Sequence, residues 1–228
     1  VTDLQNTPQN LMLQLALAHA GAAVATAKSI DALATLSASH RVVGAVLESL
    51  ASPLAGCPLP SPPVLLDANG AEGTPEDGGW ATFDSLLSDA GSAAAAPADV
   101  APGRPFAFFG GTKALTQSQV LELGHEAATT LGMGSSDVSC VSITLCHAFG
   151  IGSAVGGALM SGGTIVLPEV GGIRGCGDPA QRSEVTLQVL RQTDASLLFA
   201  DTHTLKALRP LEADAVGLAL RGGVVKTG

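Results

Sequence analysis

FAFFGGTKALTQ at residues 106–117, VSCVSITLCHAFGIG at 138–152 and SGGTIVLP at 161–168 decide the fold between them. Pro105 to Phe109 is apolar and aromatic, which suits a strand, and Gly110 and Gly111 supply the turn that ends it. Thr116 to Gly132 reads as a helix, with Thr116 and Gln119 at the spacing of a capping box. Val138 to Leu145 alternates and is rich in β-branched residues, so a second strand follows. His147 to Ser161 is a glycine-laced helix and Thr164 to Leu167 a third strand. Parallel strands need helical crossovers of this length, and the stretch supplies them.

The pattern continues downstream. A helix is expected over Gln181 to Thr193, a strand at Ser196 to Ala200, a helix from Thr202 to Leu211 and a last strand near Gly217 to Leu220. Upstream, Gln5 to Ala20 carries apolar residues at helical intervals, with Thr7 as N-cap, Pro8 in the first turn and Gly21 at the end. A short strand in Ala22–Thr26, a helix over Ser29–Ser39 and a strand at Arg41–Leu47 come next. Five prolines between Pro53 and Pro63 allow a strand only after Pro63, and Trp80 to Asp89 reads as a short helix. The expected class is α/β, doubly wound, with a mostly parallel sheet and flanking helices. The expected division is a first α/β subdomain at 1–90, a low-complexity linker at 91–105 (GSAAAAPADVAPGRP from Gly91), and a second α/β subdomain at 106–228.

Composition narrows the function classes. With 46% hydrophobic residues a packed interior is easily supplied, but only 3% are aromatic and there is no Tyr, so Ala, Val, Leu and Ile must fill it. A formal charge of −9 and 11 Lys and Arg in the whole chain argue against a nucleic-acid partner. The apolar runs are broken by glycine well short of the roughly 20 residues that cross a bilayer, so no transmembrane segment is expected. Cys57, Cys140, Cys146 and Cys176 show no CxxC or His pairing at zinc-site spacing and read as reduced thiols; no metal site is expected. The chain begins at Val1, which suits a processed precursor or an incomplete sequence.

Gly110, Gly111, Thr112 and Lys113 form the turn where a phosphate would sit, between a strand and a helix start. GGIRGCGDP at 171–179 lacks the GK[ST] ending of a phosphate loop, and GIGSAVGG around Ser153 lacks the GxSxG spacing of a nucleophile elbow. Asp201 and His203 have the residue types of an acid/base pair, although on a strand-to-helix turn a carboxylate caps the helix.

In their order, the motifs resemble the adenylate-forming superfamily of acyl-CoA synthetases, luciferases and peptide synthetase adenylation domains. NTPQNLMLQLALAHAGAAV is similar to the family's early Asn-x-Pro-Glu segment, and SITLCHAFGIGSAVGGALMSGGTIVLP to its Pro-Leu-x-His-x-x-Gly core with the following helix and strand. LLFADTHTLKAL and LRGGVV resemble the family's next strand and helix, and the strand ending in Gly-Gly. The resemblance implies part of the family's N-terminal domain and puts His147 at the acyl pocket. It also shows erosion. Laid on Phe109–Gln117, the family pattern Ser-Gly-Thr-Thr-Gly-x-Pro-Lys-Gly keeps Gly110 and Thr112. It meets Gly111 in place of a hydroxyl, Lys113 in place of glycine, Leu115 in place of proline and Thr116 in place of lysine. The family's later motifs, which serve magnesium, ribose and adenylation, have no counterpart before Gly228.

The expectation is therefore a catalytically inactive relative, with Gly110, Gly111, Thr112, Lys113 and His147 as vestigial positions, no catalytic residues and no cofactor. Such a chain serves as an accessory or structural subunit among the other protein subunits of a larger assembly, for which a mitochondrial respiratory or ATP synthase complex is the expected setting. The alternatives are half of a split acyl-CoA synthetase and a non-catalytic acyl- or CoA-binding module.

Overall fold

Thr7 opens the first helix as its residue type predicts: its hydroxyl accepts the Asn10 amide at 3.2 Å, and α1 runs Pro8–His19 to a left-handed Gly21 (φ 75°). The structure is a computed structural model that describes residues 1–61, 63–67, 79–89, 101, 103–169, 178–208 and 217–227. These form two compact units, Val1–Leu4 with Met12–Thr116 and Gln5–Leu11 with Gln117–Gly228.

In the first unit, β1 (Val24–Thr26) pairs parallel with β5 (Pro105–Phe109), and β5 pairs antiparallel with β6 (Leu115–Thr116). A second set, β2 (Val46–Leu47), β3 (Val64–Leu65) and β4 (Ala81–Thr82), is parallel throughout. Thr2 bridges Thr26 of β1 and Val46 of β2, so the two sets continue one another through the first residues of the chain. Helix α2 (Ile30–Ser39) starts on Ser29, whose side chain accepts from the Ala32 amide, and α3 spans Phe83–Asp89. Leu33 and Leu36 of α2 meet Leu47, Leu54, Leu65, Trp80 and Phe108 in a buried cluster. Each fully buried leucine contributes about 1.5–3 kcal/mol.

The second unit holds one parallel sheet, in the order β10 (Gly222–Lys226), β9 (Leu197–Asp201), β7 (Val138–Ser142), β8 (Thr164–Val166). All of β9 is buried, as a strand covered on both faces must be. Helix α4 (Gln117–Leu131) leads in. A π-helical segment Phe149–Gly156 continues into α5 (Gly157–Ser161), and α6 (Pro179–Gln192) and α7 (Thr202–Leu208) complete the unit. The fold is thus α/β, with parallel sheets flanked by helices.

Several expected boundaries move. Pro105–Phe109, expected to open the second subdomain at 106, pairs with β1 and lies in the first unit, and most of the expected linker at 91–105 lies outside the described residues. The strand expected at Arg41–Leu47 is confined to Val46–Leu47. The helix expected from His147 is π-helical at first, and within it Gly150 packs where a Cβ would overlap the Thr144 carbonyl oxygen. The final strand is Gly222–Lys226 rather than Gly217–Leu220. Gly222 and Gly223 read as the end of a strand, yet they begin one: β10 approaches β9 so closely that a Cβ on Gly223 would overlap the Leu198 carbonyl.

Candidate functional site

In the second sheet the chain passes from β7 to β8 on one side and then returns to β9 and β10 on the other. Strand order reverses between β7 and β9, and open α/β sheets place ligands beyond the carboxyl ends of the strands at such a point. Three segments end there: Ile143–His147 after β7, Asp201–Thr202 after β9, and Lys226 at the end of β10.

The early Asn-x-Pro segment holds the first of these in place. Asn6 Nδ2 donates to the Ile143 carbonyl at 2.6 Å, and its Oδ1 accepts the Leu145 amide at 2.8 Å. Asn10 Nδ2 donates to the Gln5 carbonyl at 2.7 Å, which ties the loop to the first turn of α1. His147 follows, half-buried. Its Nδ1 accepts the Phe149 amide at 3.0 Å, and its Nε2 lies 3.0 Å from Lys226 Nζ. Burial, with the Lys226 charge beside it, lowers the His147 imidazole from its ordinary range. Thr202 Oγ1 donates to the Lys226 carbonyl at 2.9 Å, and the Phe149 and Phe199 rings stand 6.1 Å apart below.

Asp201 is committed elsewhere. Arg182 Nη2 reaches both of its oxygens, at 3.0 and 2.9 Å, and Arg182 Nε donates to Thr204 Oγ1 at 2.7 Å. Asp201 Oδ1 also accepts the Thr204 amide at 2.7 Å, the cap expected at the start of α7. His203 is exposed. The carboxylate therefore serves a buried ion pair and a helix cap.

The glycine turn belongs to the first unit. Gly110 is left-handed at φ 75°, and Gly110, Gly111, Thr112 and Lys113 are all exposed. Among the described residues neither Thr112 nor Lys113 has a hydrogen-bond or ion-pair partner, and Leu115 and Thr116 return the chain onto β5 directly. A separate cavity of about 470 Å³ in the first unit is lined by Leu33, His40, Arg41, Val42, Cys57 and Leu59 among others. Ser153 lies within the π-helical segment, and of 171–179 only Asp178, the N-cap of α6, and Pro179 are described. Cys57, Cys140 and Cys146 are outside any disulfide, and burial pushes Cys140 up to about 12; Cys176 lies outside the described residues. No group of three metal-ligating side chains, and no helix long and apolar enough to cross a membrane, occurs among the described residues.

Sequence reasoning missed Lys226 and the clasp around Asp137. That carboxylate accepts from the Gly134 amide, Ser196 Oγ and two nitrogens of Arg221, which also donates to the Leu131 and Gly132 carbonyls. Lys226 would have been legible had its strand been placed correctly, since a lysine at the carboxyl end of a parallel strand points to a site.

The fold is one that this chain shares with solved acyl- and aryl-CoA ligases. The chain superposes on a benzoate CoA ligase from Burkholderia xenovorans LB400 with a TM-score of 0.68 and 16% identity, covering 98% of this chain and 44% of that one. A putative long-chain-fatty-acid CoA ligase from Rhodopseudomonas palustris CGA009 gives 0.67 and 18%, covering 97% and 55%. The o-succinylbenzoate CoA synthetase of Bacillus subtilis, bound to its acyl-adenylate, gives 0.66 and 16%, covering 100% and 43%. This chain therefore spans about half the length of these enzymes. No family model and no curated protein matches it by sequence.

Proposed function

We propose that this chain keeps the acyl-CoA ligase fold without its adenylation chemistry and acts as an accessory or structural subunit of a larger assembly. The observation that carries the reading is the turn Gly110–Lys113. A phosphate cradle needs convergent amides, hydroxyls and a lysine held toward the anion. Here a short exposed connection offers one hydroxyl and one lysine without a partner. These residues do not fit a bound ATP. The electrostatic stabilisation that carboxylate attack on phosphorus requires has no source in the turn.

A subunit role draws support from apolar side chains that face outward. Leu159 and Met160, adjacent on α5, are 49% and 50% exposed, and Leu86 and Leu87 of α3 are 47% and 54% exposed. The setting proposed for them is a mitochondrial respiratory or ATP synthase complex. Two measurements test the reading. ATP–pyrophosphate exchange with benzoate, succinylbenzoate and long-chain acids should stay at background; acid-dependent exchange refutes inactivity. Native electrophoresis of source material should place the protein with a large complex, and migration as a free monomer refutes the subunit role.

A further inference from the structure

One face of α2 lines the cavity of the first unit along the length of the helix. Ile30, Leu33, Ala34, Ser37 and His40 recur at intervals of three and four, so they form a single stripe on that cavity. At 1.5 Å per residue the stripe is about 15 Å long. Val42 and the segment Cys57–Pro60 supply most of the remaining lining. These walls are fixed. Ser29 caps the start of α2, and the His40 amide closes its last turn on the Leu36 carbonyl at 2.8 Å. The His40 ring packs on Phe108 with centroids 4.3 Å apart, and Ser61 Oγ donates to the Val43 carbonyl at 3.1 Å. A preformed, mostly apolar cavity of about 470 Å³ is the usual form of a small-molecule site.

Charge decides what fits. The lining holds the guanidinium of Arg41 and no carboxylate, in a chain whose net charge is −9. Among the described residues Arg41 has neither a hydrogen-bond nor an ion-pair partner. It follows α2 directly and so stands at one end of the stripe, while Ile30, 57% exposed, stands at the other. We propose that this cavity binds a linear fatty acid of about ten carbons, with its carboxylate on Arg41 and its chain laid along α2 toward Ile30. An extended chain advances about 1.2 Å per bond, as an extended backbone does, so about ten to twelve bonds cover the stripe. The carbonyl end of α2 disfavours an anion, and the guanidinium therefore has to hold the head group. An alkylamine would meet Arg41 with like charge. All the lining residues belong to the first unit and the β7–β9 crevice to the second, so binding here stands apart from the inactivity proposed above.

Cys57 reports on the cavity. It stands in the lining, half-buried and outside any disulfide, so an occupant shields it from a thiol reagent. The full chain is labelled with limiting iodoacetamide, with and without millimolar decanoate, and the rate at each cysteine is read by mass spectrometry. Binding of radiolabelled decanoate is measured alongside by equilibrium dialysis, which does not depend on how fast Cys57 reacts. Decanoate should slow Cys57 labelling about fivefold, because a dozen non-hydrogen atoms suffice for submillimolar affinity. Acetate, which has the head group without the chain, and decylamine, which reverses the charge, should leave Cys57 unprotected. Arg41→Gln, at an exposed position, should weaken decanoate binding about tenfold, and Arg41→Lys should restore part of it. Absence of saturable decanoate binding overturns the proposal. So do equal protection by decylamine, protection of Cys146 in place of Cys57, and an affinity that Arg41→Gln leaves unchanged.

Discussion

Asp137 shows how much one side chain can hold. It sits before β7, receives Ser196 from before β9 and Arg221 from before β10, and so fastens the amino-terminal ends of three strands. The Arg221 hydrogen bond, with help from Gly134 and Ser196, outweighs burial and holds the carboxyl well below its usual range. Its folded-state affinity for protons is thus weaker than that of the unfolded chain. The stability it confers is fully present above the unfolded value, about 3.9, and is lost progressively as pH falls from there toward the much lower folded value. Asp137→Asn should cost about 1–2 kcal/mol at neutral pH, because charge-assisted hydrogen bonds from Gly134, Ser196 and a partly exposed Arg221 are weakened. The urea midpoint of the unmodified protein should fall steeply below about pH 5, and that slope should shrink in the variant. Equal slopes would remove Asp137 from the acid response. His147 acts in the same direction at higher pH. Its folded value is lowered, so the unfolded chain protonates first near pH 6.5 and stability declines as pH falls below it.

Between elements, glycine sets the distances. A Cβ on Gly124 of α4 would lie 2.8 Å from the Gly156 carbonyl carbon, so the helix rests backbone to backbone on the π-helical segment. Alanine is the better helix former by about 1 kcal/mol. The overlap involves backbone on both sides and has no flexible side chain to yield, so packing decides the sign: Gly124→Ala should destabilise by about 1–3 kcal/mol in urea melts. A stabilised variant would show that the two segments part easily. The same glycines explain what the sequence made legible. Helices with caps, such as Thr7 before α1 and Ser29 before α2, and buried strands such as β7 and β9 carry their signals locally, and they lie close to where their residues place them. Gly150, Gly222 and Gly223 read as helix interior and strand end because the reason for each lies in a distant carbonyl or a neighbouring strand. The sequence singles out His147 by its motif, while Lys226, 3.0 Å from it, lies outside the expected strand. Asp137, Ser196 and Arg221 are far apart in sequence and carry no pattern of their own.

For the whole chain, the question is whether a fold shared with ATP-dependent ligases still takes up the nucleotide. Gly110–Lys113, the positions that the motif resemblance assigns to phosphate, lie on an exposed turn of the first unit, and His147 lies in the second unit beside Lys226. A ligand that binds only the folded state raises its stability by about 2.7 kcal/mol at a hundredfold excess over Kd. For a chain of this length that is roughly 5–10 °C in Tm. Millimolar ATP with magnesium should shift the melting temperature by less than about 1 °C, because Thr112 and Lys113 alone cannot compensate the desolvation of a triphosphate. Lys113→Ala should leave that result unchanged, which separates a true absence of binding from weak capture by the one lysine on the turn. A rise of several degrees with ATP, abolished by Lys113→Ala, would mean that the turn still cradles phosphate and that the reading of an abandoned adenylation site is wrong.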